Sequence, residues 1–343
     1  MTGKKDWLKW DFSLRIAKMA AGILIVVALI VSFQLFLGYL QVKNAPAGWQ
    51  IIRPPGEVYT IHIENDTVWT GGKDGVILID RISGRNIPLP GSMPPVSYVR
   101  SIIQDRNGTI WVAHDGGIVT YRSGTWTVVA PRDDVPFTRA LSLIERRDGT
   151  IVAGTIGGVY SYDGSRWQSL MTPSSPPIAT ADALFEDREG NLWVGCVSPT
   201  LGGLYMLNGT TWKSFTGAEG LLHESSRDMM QDDSGAIWVA SGFANTGGAA
   251  IYRNGSWSNL TVEDGLAGRA TRVVYQDRMG RMWVGSEYDG IAVLDHGTWH
   301  VLTTKEGLAG QEVKFMKEDV DGTFWLGTNG GLNRVARNAT LFP

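Results

Sequence analysis

Short apolar runs alternate with glycine-rich polar turns over most of this chain. One stretch contains four such runs in succession, at 99–104, 110–113, 118–121 and 125–129, each rich in β-branched or aromatic residues. The breaks between the runs contain Asp, Asn, Ser and Gly, which tolerate the left-handed backbone of tight hairpins. The pattern predicts a unit of four short antiparallel strands.

This unit recurs seven times within residues 49–343. Its core is Asp-x-x-Gly-x-x-Trp, and the equivalent core positions are Trp69, Trp111, Val152, Trp193, Trp238, Trp283 and Trp325. The steps between these positions are 42, 41, 41, 45, 45 and 42 residues. Two copies are degraded: the first lacks the Asp-x-x-Gly turn, and the third has valine in place of tryptophan. A period near 40–45 residues is typical of β-propeller blades, so we predict an all-β, seven-bladed propeller with four-stranded blades.

The two ends of the repeat region predict how the ring closes. Gly48-Trp-Gln-Ile-Ile52 matches the fourth-strand sequence that begins at Gly297, whereas the last unit shows only three clear strands. We therefore expect residues 49–52 to supply the outer strand of blade seven, near 332–335. Such closure removes exposed strand edges.

The first 48 residues differ from the repeats. Residues 20–40 are almost uninterruptedly apolar and long enough to cross a bilayer as a helix. The preceding segment is basic, which predicts a cytoplasmic tail at 1–19, a single transmembrane helix at 20–40, a linker at 41–47 and an extracytoplasmic propeller at 48–343. A cleaved signal peptide ending near Ala45-Pro-Ala47 is the alternative, and it also places the propeller outside the cytoplasm.

Composition excludes some classes of function. The 48 N-terminal residues carry six basic and two acidic side chains, which leaves a net charge of about −7 on the propeller. Such a domain lacks the basic surface that nucleic acid requires. The single cysteine, Cys196, allows no intramolecular disulfide, and no motif indicates a metal or another cofactor. A calcium interpretation of the Asp-x-x-Gly turns is less favoured than a structural one, because no copy supplies the longer series of ligands.

Equivalent positions in the repeat predict a binding surface. Five residues before the turn aspartate, at the start of each innermost strand, stand Arg100, Asp182, Arg227, Arg272 and Lys314, with Leu141 in the third copy. Because equivalent positions meet at one rim of the ring, we expect four cations and one acid around the funnel mouth. These cations favour carboxylate or phosphate groups. The alternative is that each basic residue pairs with a carboxylate of a neighbouring blade. Two enlarged loops, 196–203 and 242–248, are expected on the same face.

Catalysis has weaker support. The histidines show no metal-ligand spacing, and no nucleophile elbow or phosphate-binding loop is present. His114 and Glu287 are expected in funnel-side loops and are the first candidates if the protein is an enzyme. Isolated polar loop residues are the simpler interpretation, so we assign no catalytic residue.

The motif resembles a known family. Asp-x-x-Gly-x-x-Trp-Val-Gly followed by Gly-Gly-Leu-x-Arg is similar to the two-component regulator propeller repeat, most closely at 325–334, and the likeness extends over about 49–336. The resemblance implies an extracytoplasmic sensor region of a kind often coupled to histidine kinases and associated with carbohydrate sensing. This sequence shows one repeat set and no kinase or DNA-binding module.

Taken with the membrane helix, the resemblance predicts a membrane-anchored module that senses or binds a ligand, anionic or carbohydrate. A scaffold subunit that binds a membrane protein partner is the alternative. A funnel-active lyase or hydrolase is a weaker one.

Overall fold

The computed structural model describes residues 3–130, 137–197 and 202–342, with side chains from residue 16 onward. Its N-terminal unit is one helix, α1, Gly3–Lys43. Residues 16–43 of this helix are long and apolar enough to cross a membrane. Their large apolar side chains are exposed. The helix therefore extends beyond the predicted span of 20–40 in both directions.

A second compact unit comprises residues 46–343. Within the described ranges it consists of seven antiparallel four-stranded sheets. Blades one and two comprise Thr60–Glu64, Thr67–Gly72, Gly75–Asp80 and Asn86–Ile87, then Val99–Gln104, Ile110–His114, Gly117–Arg122 and Thr125–Ala130. Blades three and four comprise Ala140–Glu145, Ile151–Thr155, Gly158–Tyr162 and Trp167–Ser169, then Ala183–Glu186, Leu192–Cys196, Gly203–Asn208 and Thr211–Phe215. Blades five and six comprise Ser226–Gln231, Ile237–Phe243, Thr246–Arg253 and Ser256–Leu260, then Thr271–Gln276, Met282–Ser286, Ile291–Asp295 and Thr298–Leu302. Blade seven comprises Val313–Glu318, Phe324–Thr328, Gly331–Val335 and, from the start of the repeats, Trp49–Ile52.

The N-terminal strand closes the ring as the sequence predicts. Trp49–Ile52 pairs antiparallel with Gly331–Val335, with Trp49 opposite Val335 and Ile52 opposite Leu332. Trp49, Ile51 and Ile52 are buried. The seven-bladed, four-stranded architecture is therefore confirmed, including the exchange of one strand between the two ends of the repeat region.

The core tryptophans pack between neighbouring blades. Trp193 of blade four is 2% exposed and lies in one apolar cluster with Met229 and Ile237 of blade five. Trp111, Trp238 and Trp325 occupy the same position at their own interfaces. Val152 contacts blade four through a cluster that contains Leu192. Most of the apolar surface buried by the fold therefore lies between sheets, where each blade covers the next.

A second set of contacts joins the blades at the face formed by the Asp-x-x-Gly turns, which we call the turn face. At the turns of blades three to seven, the residue before the first turn residue is Glu or Gln, and its side chain accepts a backbone N–H from the turn of the preceding blade. Glu145 Oε2 accepts from Arg106 N at 2.9 Å, and Gln276 Oε1 accepts from Asp233 N at 2.8 Å. The same bond is made by Glu186, Gln231 and Glu318. This repeated bond fixes the position of each blade relative to the next one along the axis of the ring.

Candidate functional site

The inner strands begin at the opposite face of the ring, which we call the loop face, and their first residues surround a central funnel. A cavity of about 220 Å³ opens there. Its lining residues are Tyr59, Arg100, Leu141, Asp182, Val197, Arg227, Arg272 and Lys314. All six positions expected from the repeat therefore converge on one cavity. The sequence analysis missed Tyr59. It located each ring position by counting five residues back from the turn aspartate, and the first copy lacks that aspartate.

The cations of this funnel are tied to carboxylates. Glu287 lies between two of them, with Oε2 3.6 Å from Arg227 Nη2 and Oε1 3.5 Å from Arg272 Nη2. Arg272 also pairs with Glu312. Lys314 Nζ lies 2.8 Å from Glu312 Oε2 and 3.0 Å from Glu57 Oε1. These contacts form a chain of alternating charge across blades five, six and seven.

A separate group of charges lies at blades two and three. Asp115 accepts from Arg100 Nε at 3.1 Å and from Arg139 Nη2 at 2.9 Å. Arg139 comes from blade three, whose own ring position is the apolar Leu141. Arg227, Arg272 and Lys314 thus each contact a carboxylate from a neighbouring blade, as in the alternative that the sequence analysis considered, whereas Arg100 pairs with Asp115 of its own blade.

Burial shifts the pKa values of two groups at this site. Desolvation lowers the pKa of Arg227, and the neighbouring Arg272 lowers it further. Desolvation and Glu57 raise the pKa of Tyr59 to about 12, so its hydroxyl stays protonated at neutral pH. The Tyr59 ring lies 4.4 Å from Lys314 Nζ and 5.2 Å from Arg100 Cζ, distances suited to cation–π attraction.

Two polar atoms of the charge chain have no hydrogen-bond partner among the described residues. Arg272 Nε and Glu287 Oε2 are both buried without a hydrogen bond, although Glu287 Oε2 keeps its ion pair with Arg227 at 3.6 Å. A buried polar atom without a partner costs about 1–3 kcal/mol, so each favours an additional donor or acceptor entering the funnel.

The remaining candidates occupy different settings. Asp182 accepts from Thr180 Oγ1 at 2.6 Å and from Val197 N at 2.9 Å, which holds it at the cavity wall. Glu287 contacts the funnel residues Arg227 and Arg272 but is not itself among the cavity-lining residues. His114 is 6% exposed, accepts from Gly116 N at 3.1 Å through Nδ1, and is not among the cavity-lining residues. Desolvation lowers the pKa of His114, against the opposing charge of Asp115.

Both segments predicted as enlarged loops lie beside the funnel, but the prediction of a loop at 242–248 is wrong: the strands Ile237–Phe243 and Thr246–Arg253 extend through it and pair Gly242 with Gly247 and Phe243 with Thr246. Gly242 O accepts from Arg227 Nε at 3.3 Å, and Val197 lines the cavity. Residues 198–201 of the first loop lie outside the described residues. Within the described part of the chain, no group of three or more His, Cys, Asp or Glu side chains is arranged to hold a metal ion.

The fold and the motif together define a seven-bladed propeller with a polar funnel, and comparison with known proteins agrees. The family model described as two component regulator propeller matches residues 93–116, so the chain carries a repeat of that family. No curated protein matches the chain.

Solved structures share the fold at low identity. The extracellular domain of a hybrid two component system protein from B. thetaiotaomicron is 17% identical, with a TM-score of 0.73 over 86% of this chain. This chain corresponds to 42% of that chain's length. A virginiamycin B lyase from Staphylococcus aureus is 12% identical, with a TM-score of 0.63 over 84% of this chain and 98% of the other. YCF48 bound to a D1 peptide is 14% identical, with a TM-score of 0.63 over 85% of this chain and 99% of the other.

Proposed function

We propose that this protein is a membrane-anchored, extracytoplasmic binding module whose funnel takes the anionic group of a ligand. The observation that carries the proposal is that Arg272 Nε has no hydrogen-bond partner among the described residues, while Glu287 Oε2 has only its ion pair with Arg227 at 3.6 Å. A carboxylate entering the funnel can accept from Arg272 Nε and displace Glu287 from one of its two arginines. Ligand binding in the funnel would then be signalled to a separate membrane protein.

The location of the module rests on the N-terminal helix and its flanking charges. Residues 16–43 are long and apolar enough to span a bilayer. Four lysines and one arginine precede residue 20, against two aspartates, which favours a cytoplasmic N-terminus. The likeness to an extracellular propeller of a two component system protein supports the same side of the membrane for the propeller.

The funnel is tested with citrate as an anionic probe and glycerol as a neutral one. Thermal melting of the full-length chain in lipid nanodiscs should shift upward with citrate at low salt, and less so at high salt because charges are screened. Arg272→Gln should abolish the citrate shift. Glu287→Gln should enlarge the shift, because it removes the carboxylate that competes with the probe.

The matched control is Arg188→Gln, which changes a half-exposed arginine on the turn face. This variant should keep the citrate shift of the original chain. An equal loss in Arg188→Gln and Arg272→Gln would show that citrate acts on net charge, and the funnel would not be its site.

A scaffold role is the second candidate, and exposed aromatic residues favour it. Phe243 ends the strand Ile237–Phe243 of blade five and Tyr288 lies in a loop of blade six, both at the loop face, and they are 47% and 56% exposed. Aromatic side chains of this kind commonly anchor protein partners. YCF48, which shares the fold, is bound to a D1 peptide in its structure. Purification in mild detergent distinguishes the two roles: a stoichiometric partner that is lost from the Phe243→Ser, Tyr288→Ser variant supports the scaffold.

A further inference from the structure

One carboxylate of the funnel wall has no cation partner. Asp182 lines the cavity together with the cations Arg100, Arg227, Arg272 and Lys314. Each of these cations contacts a carboxylate of another residue. Asp182 makes hydrogen bonds but no ion pair with the residues that the structure describes. It therefore adds an unpaired negative charge to the wall of a funnel whose cations are already paired.

One oxygen of Asp182 holds the side chain in place. Oδ2 accepts from Thr180 Oγ1 at 2.6 Å and from Val197 N at 2.9 Å. Oδ1 accepts no hydrogen bond from the described residues. Because a carboxylate oxygen has two lone pairs, Oδ1 is left as an acceptor at the cavity wall, on a side chain whose orientation is already fixed.

The cation at the next ring position is held by other partners. Arg227 of blade five follows Asp182 around the funnel. Its Nε donates to Gly242 O at 3.3 Å, and its Nη2 lies 3.6 Å from Glu287 Oε2. These contacts tie the guanidinium to blades five and six, and it forms no ion pair with Asp182.

The rest of the wall supplies apolar contacts and a donor. Leu141 takes the ring position of blade three, and Val197 lines the cavity beside Asp182. In blade six, Arg272 has a buried Nε without a hydrogen-bond partner among the described residues. The funnel thus combines an acceptor from blade four, a donor from blade six and two aliphatic side chains.

The size and charge of the cavity restrict the ligand. Drug-sized ligands occupy sites of about 300–1,000 Å³, whereas the funnel cavity has a volume of about 220 Å³ and suits a smaller molecule. A small ligand with only negative charge would be repelled by Asp182. A ligand that also carries an ammonium group replaces this repulsion with a charge-assisted hydrogen bond.

We infer that the funnel binds a small zwitterion, an amino acid whose carboxylate lies at Arg272 and whose ammonium group donates to Asp182 Oδ1. The position of the carboxylate rests on the proposed function. The new element is the second charged group of the ligand, together with the residue that selects it. The aliphatic part of the amino acid then contacts Leu141 and Val197.

The probes are 4-aminobutyrate, butyrate and butylamine, which share one carbon chain and differ in their charged ends. Glycine with acetate, and 6-aminohexanoate with hexanoate, vary the distance between the two charges. Saturation-transfer NMR titrations on the full-length chain in lipid nanodiscs give the apparent affinities. At one of these lengths the zwitterion should bind about tenfold more tightly than the carboxylate alone, because it gains a hydrogen bond between charged groups.

Asp182→Asn is the decisive variant, because an amide oxygen still accepts from Thr180 and Val197 while the negative charge is lost. The variant should lose the preference for the zwitterion and bind the carboxylate alone as well as before or better. It should also enlarge the thermal shift with citrate. Asp233→Asn, which changes an 85% exposed acid on the turn face, is the matched control and should keep the preference.

Citrate separates this inference from the proposed function. A citrate shift that depends on Arg272, with no zwitterion preferred over its carboxylate at any length, would overturn the inference and leave the anion-binding funnel in place. A preference for the zwitterion that survives Asp182→Asn would overturn it as well. Absence of both the citrate shift and zwitterion binding would refute both proposals.

Discussion

The indole Nε1 of Trp193 donates a hydrogen bond to Oδ2 of Asp187, six residues earlier, at 2.7 Å. The other carboxylate oxygen accepts the backbone N–H groups of Glu189 and Asn191. The same indole–carboxylate bond recurs in the other four intact copies, Asp105–Trp111, Asp232–Trp238, Asp277–Trp283 and Asp319–Trp325. The spacing of the motif is therefore explained by one bond that joins the turn to the core.

Trp69 shows what happens without the aspartate. Its copy lacks the turn, and its buried Nε1 has no hydrogen-bond partner among the described residues. The bond is thus a feature of the intact motif and not of every buried tryptophan in the ring.

Removing the turn carboxylate should destabilise the propeller. Asp187→Ala leaves the indole and two backbone N–H groups without their acceptor in a buried setting, so the free energy of unfolding should fall by about 2–4 kcal/mol. Asp233→Ala, which changes an 85% exposed turn side chain, should stay within about 0.5 kcal/mol. Denaturant unfolding of both variants measures this. If Asp187→Ala and Asp233→Ala were equally stable, the constant spacing between aspartate and tryptophan in the motif would need another explanation.

Deleting the closing strand should open the ring. Removal of residues 48–53 takes away the ladder with Gly331–Val335 and three buried apolar side chains. At about 0.5–1.5 kcal/mol per hydrogen bond plus the lost burial, the loss is severe against a total stability of about 5–15 kcal/mol. Thermal melting should show a far lower transition than in a chain lacking only residues 1–40. Similar melting of the two shortened chains would contradict a structural role for the strand.

Asp228 should make stability depend on pH. Desolvation by the surrounding blades raises its pKa to about 7, although Val274 N donates to its Oδ2 at 3.0 Å. An unfolded aspartate titrates near pH ~3.9. Between these values the folded chain holds a proton that the unfolded chain has released, so stability falls as pH rises from about 4 to about 7. The slope is at most about 1.4 kcal/mol per pH unit.

The variant Asp228→Asn tests this dependence, because it keeps an oxygen that accepts from Val274 and removes the titration. Melting temperatures at pH 5 and pH 8 should differ less in the variant than in the original chain. An unchanged difference would show that other groups govern the pH response.

The topology should be a single span with the propeller outside the cytoplasm. Protease added to intact spheroplasts should digest or release the propeller and spare the basic N-terminal tail, because the charge bias before residue 20 retains that tail inside. Lysed spheroplasts serve as the control for access to the tail. Protection of the propeller in intact spheroplasts would reverse the orientation.

The sequence by itself determined the ring. The repeat period set the number of blades, the turn residues set the strands, and the incomplete last unit together with Trp49–Ile52 set the closure. These features are local or periodic, so the spacing of residues along the chain carries them. The convergence of the ring positions on one funnel follows from the same periodicity.

Only the tertiary structure decided which charged side chains come into contact. Lys314 pairs with Glu57 across the closure of the ring, and Arg272 pairs with Glu312 of the next blade. A count of charges cannot give these pairs, because they depend on distances between side chains that are far apart in sequence. Packing between blades is a property of three-dimensional shape, and the pattern of apolar positions does not contain it.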